Sequence, residues 1–123
     1  MTGLLLALPT GRLLSDTLDR LAAAGVDVSA VRADNRRLLV PPEEDNPGFL
    51  LVKPADVPVY VEAGCADAGI VGKDVLLETQ KNVCELLDLA YGFWRLVVAI
   101  PAENRSRWPA DMPLSLRIAT KYP

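Results

Sequence analysis

A chain of 123 residues has the length of one domain and can bury a core of its own. Half of the residues are hydrophobic and 24% are charged, the net charge is −3 without any basic run, and no apolar stretch nears the roughly 20 residues that span a membrane; neither nucleic acid nor a bilayer is the expected partner. Histidine is absent and the two cysteines, Cys65 and Cys84, are far apart, which removes hydrolase triads, the commonest general base, a structural zinc site and a disulfide framework, and fits a reduced cytoplasmic protein.

Leu4 to Leu8 is a continuous apolar run and reads as a first buried strand. The N-terminus MTGLLLALPTGRLL has no basic leader and is read as strand, not secretion signal. Pro9-Thr10-Gly11-Arg12 turns the chain, and Leu14, Leu18, Leu21 and Ala22 follow at helical spacing until Gly25. Strand, glycine turn, helix is the layout of a phosphate cradle, and Arg12 beside it favours an anion. Turn geometry alone favours a plain βα connection. Val26 to Asn35 is a polar link with room for one short strand or helical turn, and Arg36 to Val40 reads as a strand. Pro41 to Gly48 is an acidic, proline-rich loop at the surface. Phe49 to Val52 is the next buried strand; Lys53 at its end suits a phosphate, or simply reaches water.

The stretch from Val57 to Leu76 organises the rest. Asp56 is expected to cap a helix through Val57, Tyr60, Val61 and Ala63, and Gly64 to end it. Ala68 to Val71, with no polar face, reads as a parallel strand covered on both sides. Gly72-Lys73-Asp74 turns the chain, with Asp74 as cap of a helix starting at Val75. Asp67 lies before its strand, where capping or turn chemistry is an equal alternative to ligand contact. Short strands are expected at Glu85–Leu89, Leu96–Ile100 and Leu114–Thr120, with an aromatic turn at Tyr91-Gly92-Phe93-Trp94 and an exposed link from Pro101 to Pro113. Strands alternating with helices predict an α/β fold: a mostly parallel sheet flanked by helices.

Gly72-Lys73 fails as a phosphate-binding P-loop, since Asp67 and Asp74 stand where a glycine and a Ser or Thr are needed. No G-x-G-x-x-G occurs, and Glu43 and Glu44 lie in a loop that cannot fix their separation. What holds is a set of strand ends carrying Arg12, Lys53, Lys73 and Asp74; if the strands are parallel neighbours, these gather on one edge, as a polyphosphate would require.

Several stretches carry one family resemblance. Asp67-Ala68-Gly69-Ile70-Val71-Gly72-Lys73-Asp74 resembles the D-x-G-I-x-G-x-D segment of ATP phosphoribosyltransferase, the first enzyme of histidine biosynthesis. Ala7 to Leu13, ALPTGRL, is similar to that family's A-L-P-K-G-R-L; Asn35-Arg36-Arg37-Leu38 to its S-R-K-L; Val52 to Pro58, VKPADVP, to its V-R-P-x-D-V-P. Leu86 to Val98 and Arg117 to Pro123 also match, in order along essentially the whole chain. Thr10 departs from the family's lysine, and Trp94 from its small residue before Arg95; nothing physical explains the second.

The resemblance implies a fold like the two-lobed periplasmic binding proteins, with residues 1–100 an incomplete first lobe, 101–113 a link and 114–123 the first strand of a second lobe not present. It implies transfer of phosphoribosyl from phosphoribosyl pyrophosphate (PRPP) to N1 of ATP, releasing pyrophosphate, with Mg2+ bound through the phosphates and no protein nucleophile or metal ligand from this chain. Thr10, Gly11, Arg12, Arg36, Arg37, Lys53, Asp67, Gly69, Gly72, Lys73 and Asp74 are the implied nucleotide-binding positions. A homo-oligomer is implied, and in the short form of the family, to which Gly72-Lys73-Asp74 is closer, a regulatory subunit resembling histidyl-tRNA synthetase. A chain of this length is expected to be truncated and inactive alone. The alternative is a non-catalytic nucleotide-binding or assembly module. A solute-binding lobe would predict a secretion leader.

Overall fold

The computed structural model describes residues 3–34, 36–111 and 115–122. They fall into two compact units, Met1–Gly92 and Phe93–Pro123.

In the first unit, the apolar run near the N-terminus forms β1 (Leu5–Pro9), and the leucines spaced after it form α1 (Arg12–Ala23). Gly25 ends the turn after α1 at φ 88°, a backbone that glycine adopts without strain. The polar link carries a short helix, α2 (Ser29–Ala33), prefaced by Asp27, whose Oδ1 accepts the Ser29 N–H at 2.9 Å. Then come β2 (Leu39–Val40), β3 (Gly48–Val52), a 3₁₀ turn at Pro54–Asp56, α3 (Val57–Glu62), β4 (Ala68–Gly69) and α4 (Lys73–Thr79).

The strands lie in the order β2-β3-β1-β4. β1 is parallel to β3, with Leu5 opposite Gly48 and Pro9 opposite Val52, and parallel to β4, with Ala7 opposite Gly69. β2 is antiparallel to β3, pairing Leu39 with Leu50. Alternation along the strands sends residues to two cores. Leu8, Phe49 and Leu51 pack with Leu18 of α1, Val31 of α2, Val28 and Val40. Ala7 packs on the other face with Val57 of α3 and Ala66. Helices thus cover both faces, and the predicted α/β class with a mostly parallel sheet stands.

Several local expectations change. β4 is two residues long, has no partner on its outer side among the described residues, and leaves Gly69 exposed. Gly69 sits against α3: a Cβ there would come within 2.6 Å of Val57 Cγ1. Asp56 makes no side-chain cap, because the 3₁₀ turn continues into α3 and holds Asp56 in helical conformation. Gly72 is the residue before α4, and Asp74 lies in its first turn.

No strand forms at Glu85–Leu89, where Leu86 is 85% exposed, the chain lacks a neighbouring strand among the described residues, and Ala90 takes φ 54°. An apolar run supplies side chains for a strand but not the ladder it must join. The second unit shows the same: Leu96–Ile100 and residues 115–120 are irregular and largely exposed. Leu114, the predicted start of that last strand, lies outside the described residues, as do Asn35, Met112, Pro113 and Pro123. That unit holds a 3₁₀ run, Ala102–Arg107, and a stacked pair of rings, Trp94 and Tyr122, 6.3 Å apart.

Two exposed carboxylates brace the first unit. The Ser29 hydroxyl and N–H hold Asp27 below the usual carboxylate range. The Asn82 N–H, donating at 2.9 Å, does the same for Glu62, with Lys81 3.4 Å away. Since both folded values are lowered, their stabilisation is complete above the ordinary carboxylate range and is lost as the pH falls through the lowered values. The melting temperature should therefore drop on acidification below about pH 4, and less steeply in an Asp27→Asn/Glu62→Gln variant; equal slopes would contradict the bracing.

Candidate functional site

The parallel register brings the carboxyl ends of β1, β3 and β4 to one rim. Thr10 and Lys53 stand one residue beyond the last pair, Pro9–Val52, and the Thr10 N–H donates to the Val52 carbonyl at 2.8 Å. From there the two chains part: Gly11 leads into α1 on one face, Lys53 through the 3₁₀ turn into α3 on the other. Adjacent parallel strands whose connections leave to opposite faces open a crevice between them.

Gly11, before the first turn of α1, takes φ 92° and ψ −145°. Only glycine occupies this region without strain. α1 opens with Arg12, has no acidic residue in its first turn and no side-chain cap. Its first-turn amides thus add to the positive charge of the rim.

Arg36 and Arg37 reach the same rim by a route the sequence did not suggest. They precede β2, so in a parallel strand they would sit at the far edge. Because β2 is antiparallel, its start lies beside the end of β3: the Leu51 N–H donates to the Leu38 carbonyl, and the preceding arginines step off toward Val52 and Lys53. Asp34 shapes that step, its Oδ1 accepting the Arg36 N–H at 3.1 Å and its carbonyl the Arg37 N–H at 3.2 Å.

Gly72 and Lys73 follow the carboxyl end of β4, with Asp74 one residue on. Lys73 is not free: its Nζ is ion-paired with Glu85. Glu85 was missed, since its contact is made through an irregular segment that no periodicity marks. Asp67 is not at the rim. It lies at the amino edge, where its Oδ2 accepts the Leu5 N–H at 2.8 Å and its own N–H donates to the Leu5 carbonyl at 2.9 Å. Its carboxylate closes the ladder between β1 and the chain entering β4, as the capping alternative had it. Gly69, level with Ala7 in mid-strand, serves α3 packing. Thus Thr10, Gly11, Arg12, Arg36, Arg37, Lys53, Gly72 and Lys73 share the rim or its approaches, with Asp74 alongside, while Asp67 and Gly69 have structural work elsewhere.

Fold and rim together define an open α/β lobe with helices on both faces and cations gathered at its strand ends. Residues 53–123 match the family model described as ATP phosphoribosyltransferase. Curated relatives of that name are 47% identical in Syntrophotalea carbinolica, over 95% of this chain and 53% of theirs, and 47% identical in Synechococcus sp., over 97% and 56%. A solved chain from the ATP phosphoribosyl transferase (HisG:HisZ) complex of Thermotoga maritima superposes on 68% of this chain and 39% of its own, with a TM-score of 0.51 and 29% identity. The chain belongs to the ATP phosphoribosyltransferase family. It spans about half the length of the curated relatives it matches.

Proposed function

We propose that this chain is the nucleotide-binding portion of an ATP phosphoribosyltransferase that moves phosphoribosyl from PRPP to N1 of ATP in the first step of histidine biosynthesis. The observation that carries this is the Thr10–Val52 hydrogen bond at the parting of β1 and β3, which sets Gly11 and Arg12 on one side of a crevice and Lys53 on the other. Cations on opposite walls suit a polyphosphate better than a single anion. Arg12, Arg36, Arg37 and Lys53 are the proposed phosphate contacts, with Gly72, Lys73 and Asp74 along the same rim.

Among the described residues no three His, Cys, Asp or Glu side chains are grouped to hold a metal. Magnesium is proposed to arrive on the phosphates, and this chain's part is to bind and orient them. Oligomerisation, and assembly with a regulatory subunit resembling histidyl-tRNA synthetase, are proposed for the whole enzyme; likeness to a chain of a HisG:HisZ complex supports the second. No helix among the described residues is long and apolar enough to cross a membrane, and the cytoplasm is the proposed location.

Arg12→Ala and Lys53→Ala are each expected to weaken ATP binding by about tenfold or more, the value of a charge-assisted hydrogen bond of roughly 1.5–3 kcal/mol. Calorimetric titration of this chain reads it; unchanged affinity in both variants would refute the site. The non-catalytic module reading predicts the same ATP affinity in this chain, but no pyrophosphate when PRPP is added to the full-length protein.

A further inference from the structure

Residues 81–92 form a strap without helix or strand, held at three points. At its start, the Asn82 N–H donates to Glu62 Oε1 at 2.9 Å and Lys81 pairs with the same carboxylate. At its end, the Tyr91 hydroxyl hydrogen-bonds Thr17 Oγ1 at 2.6 Å. Thr17 is fully buried and already gives its proton to the Leu13 carbonyl, so Tyr91 is the donor. Arg20 adds a cation–π contact, 5.3 Å from the Tyr91 ring centre. Between these anchors the strap touches the rim through Glu85 and Lys73.

We propose that Glu85 is an internal stand-in for the ligand's anion: its carboxylate occupies Lys73 until a phosphate displaces it, so ligand binding and the Glu85 contact exclude each other. This rests on the rim being a phosphate site. Three features favour exchange. The pair is solvated, with the Lys73 side chain 61% and the Glu85 side chain 43% exposed, and such pairs are weak. A phosphate carries more charge than a carboxylate and meets other cations at the rim. The strap contributes nothing to the sheet, so releasing Glu85 breaks no ladder while Glu62 and Thr17 keep both ends in place.

The test is acetylation of Lys73 by acetic anhydride, read by peptide mass spectrometry, with and without inorganic pyrophosphate, in the unaltered chain and in Glu85→Gln. Lys81 is the internal reference. Without ligand, Lys73 should react roughly two- to fivefold faster in Glu85→Gln, in line with a weak exposed pair. Pyrophosphate should then protect Lys73 in both proteins, at a concentration lower by a similar factor in the variant. Equal rates without ligand overturn the pair. Faster labelling with protection at equal concentrations overturns the competition and leaves the rim reading standing. Faster labelling with no protection in either protein overturns both.

Discussion

Replacing Gly11 by alanine should destabilise the chain by about 1–3 kcal/mol, the usual cost of holding a side-chain-bearing residue in a glycine-only conformation. Nothing lies within 4 Å of where the Cβ would stand, so the loss is conformational and not steric. That distinction is measurable. A D-alanine introduced by semisynthesis should recover most of the stability, because its preferred torsions are the mirror image. If the chain instead relaxes to a negative φ, the start of α1 turns away from Lys53 and ATP affinity falls with stability. Denaturant unfolding and calorimetry on the same samples separate the outcomes; full stability in Gly11→Ala would mean the turn adopts another conformation.

Phe49→Ala should cost about 3–5 kcal/mol, the range for emptying a buried aromatic site. Phe49 is fully buried and belongs to one core cluster with Leu8, Leu18, Val28, Val31, Val40 and Leu51. Against a total stability of about 5–15 kcal/mol, that loss takes a large part of the margin, and nearly all of it at the low end. Phe49→Leu, keeping most of the volume, should lose markedly less. Because Lys53 directly follows β3, the alanine variant should also lose ATP binding in proportion to its unfolded fraction. A shift in unfolding free energy below about 1 kcal/mol would show that the residues around Phe49 do not close into a core.

What the sequence made legible is what the chain encodes locally. Leu5–Pro9 and Gly48–Val52 were readable because a strand buried on both faces shows as an unbroken apolar run. The glycines at 11, 25 and 64 marked their turns for a backbone reason and all take positive φ. What stayed hidden depends on which strand lies beside which. Apolar content alone misled at residues 85–89 and 96–100, where a hydrophobic stretch had no ladder to join. The direction of β2 was equally unreadable, since two paired residues leave no periodicity, yet it decides where Arg36 and Arg37 go. Asp67 misled because a carboxylate placed just before a strand reads alike as ligand contact and as tether; only the Leu5 N–H tells them apart.

The reversed course of β2 also settles where the acidic loop turns. Glu43, Glu44 and Asp45 connect the end of β2 to the start of β3, at the edge where Gly48 meets the Leu4 carbonyl. Five strand residues, at about 3.3 Å each, put this negative tip about 16 Å from the cations. At physiological ionic strength, fields fade over about 8 Å. An incoming nucleotide is therefore shielded from the most acidic part of the chain by the length of the sheet itself, and feels that repulsion only in nearly salt-free water.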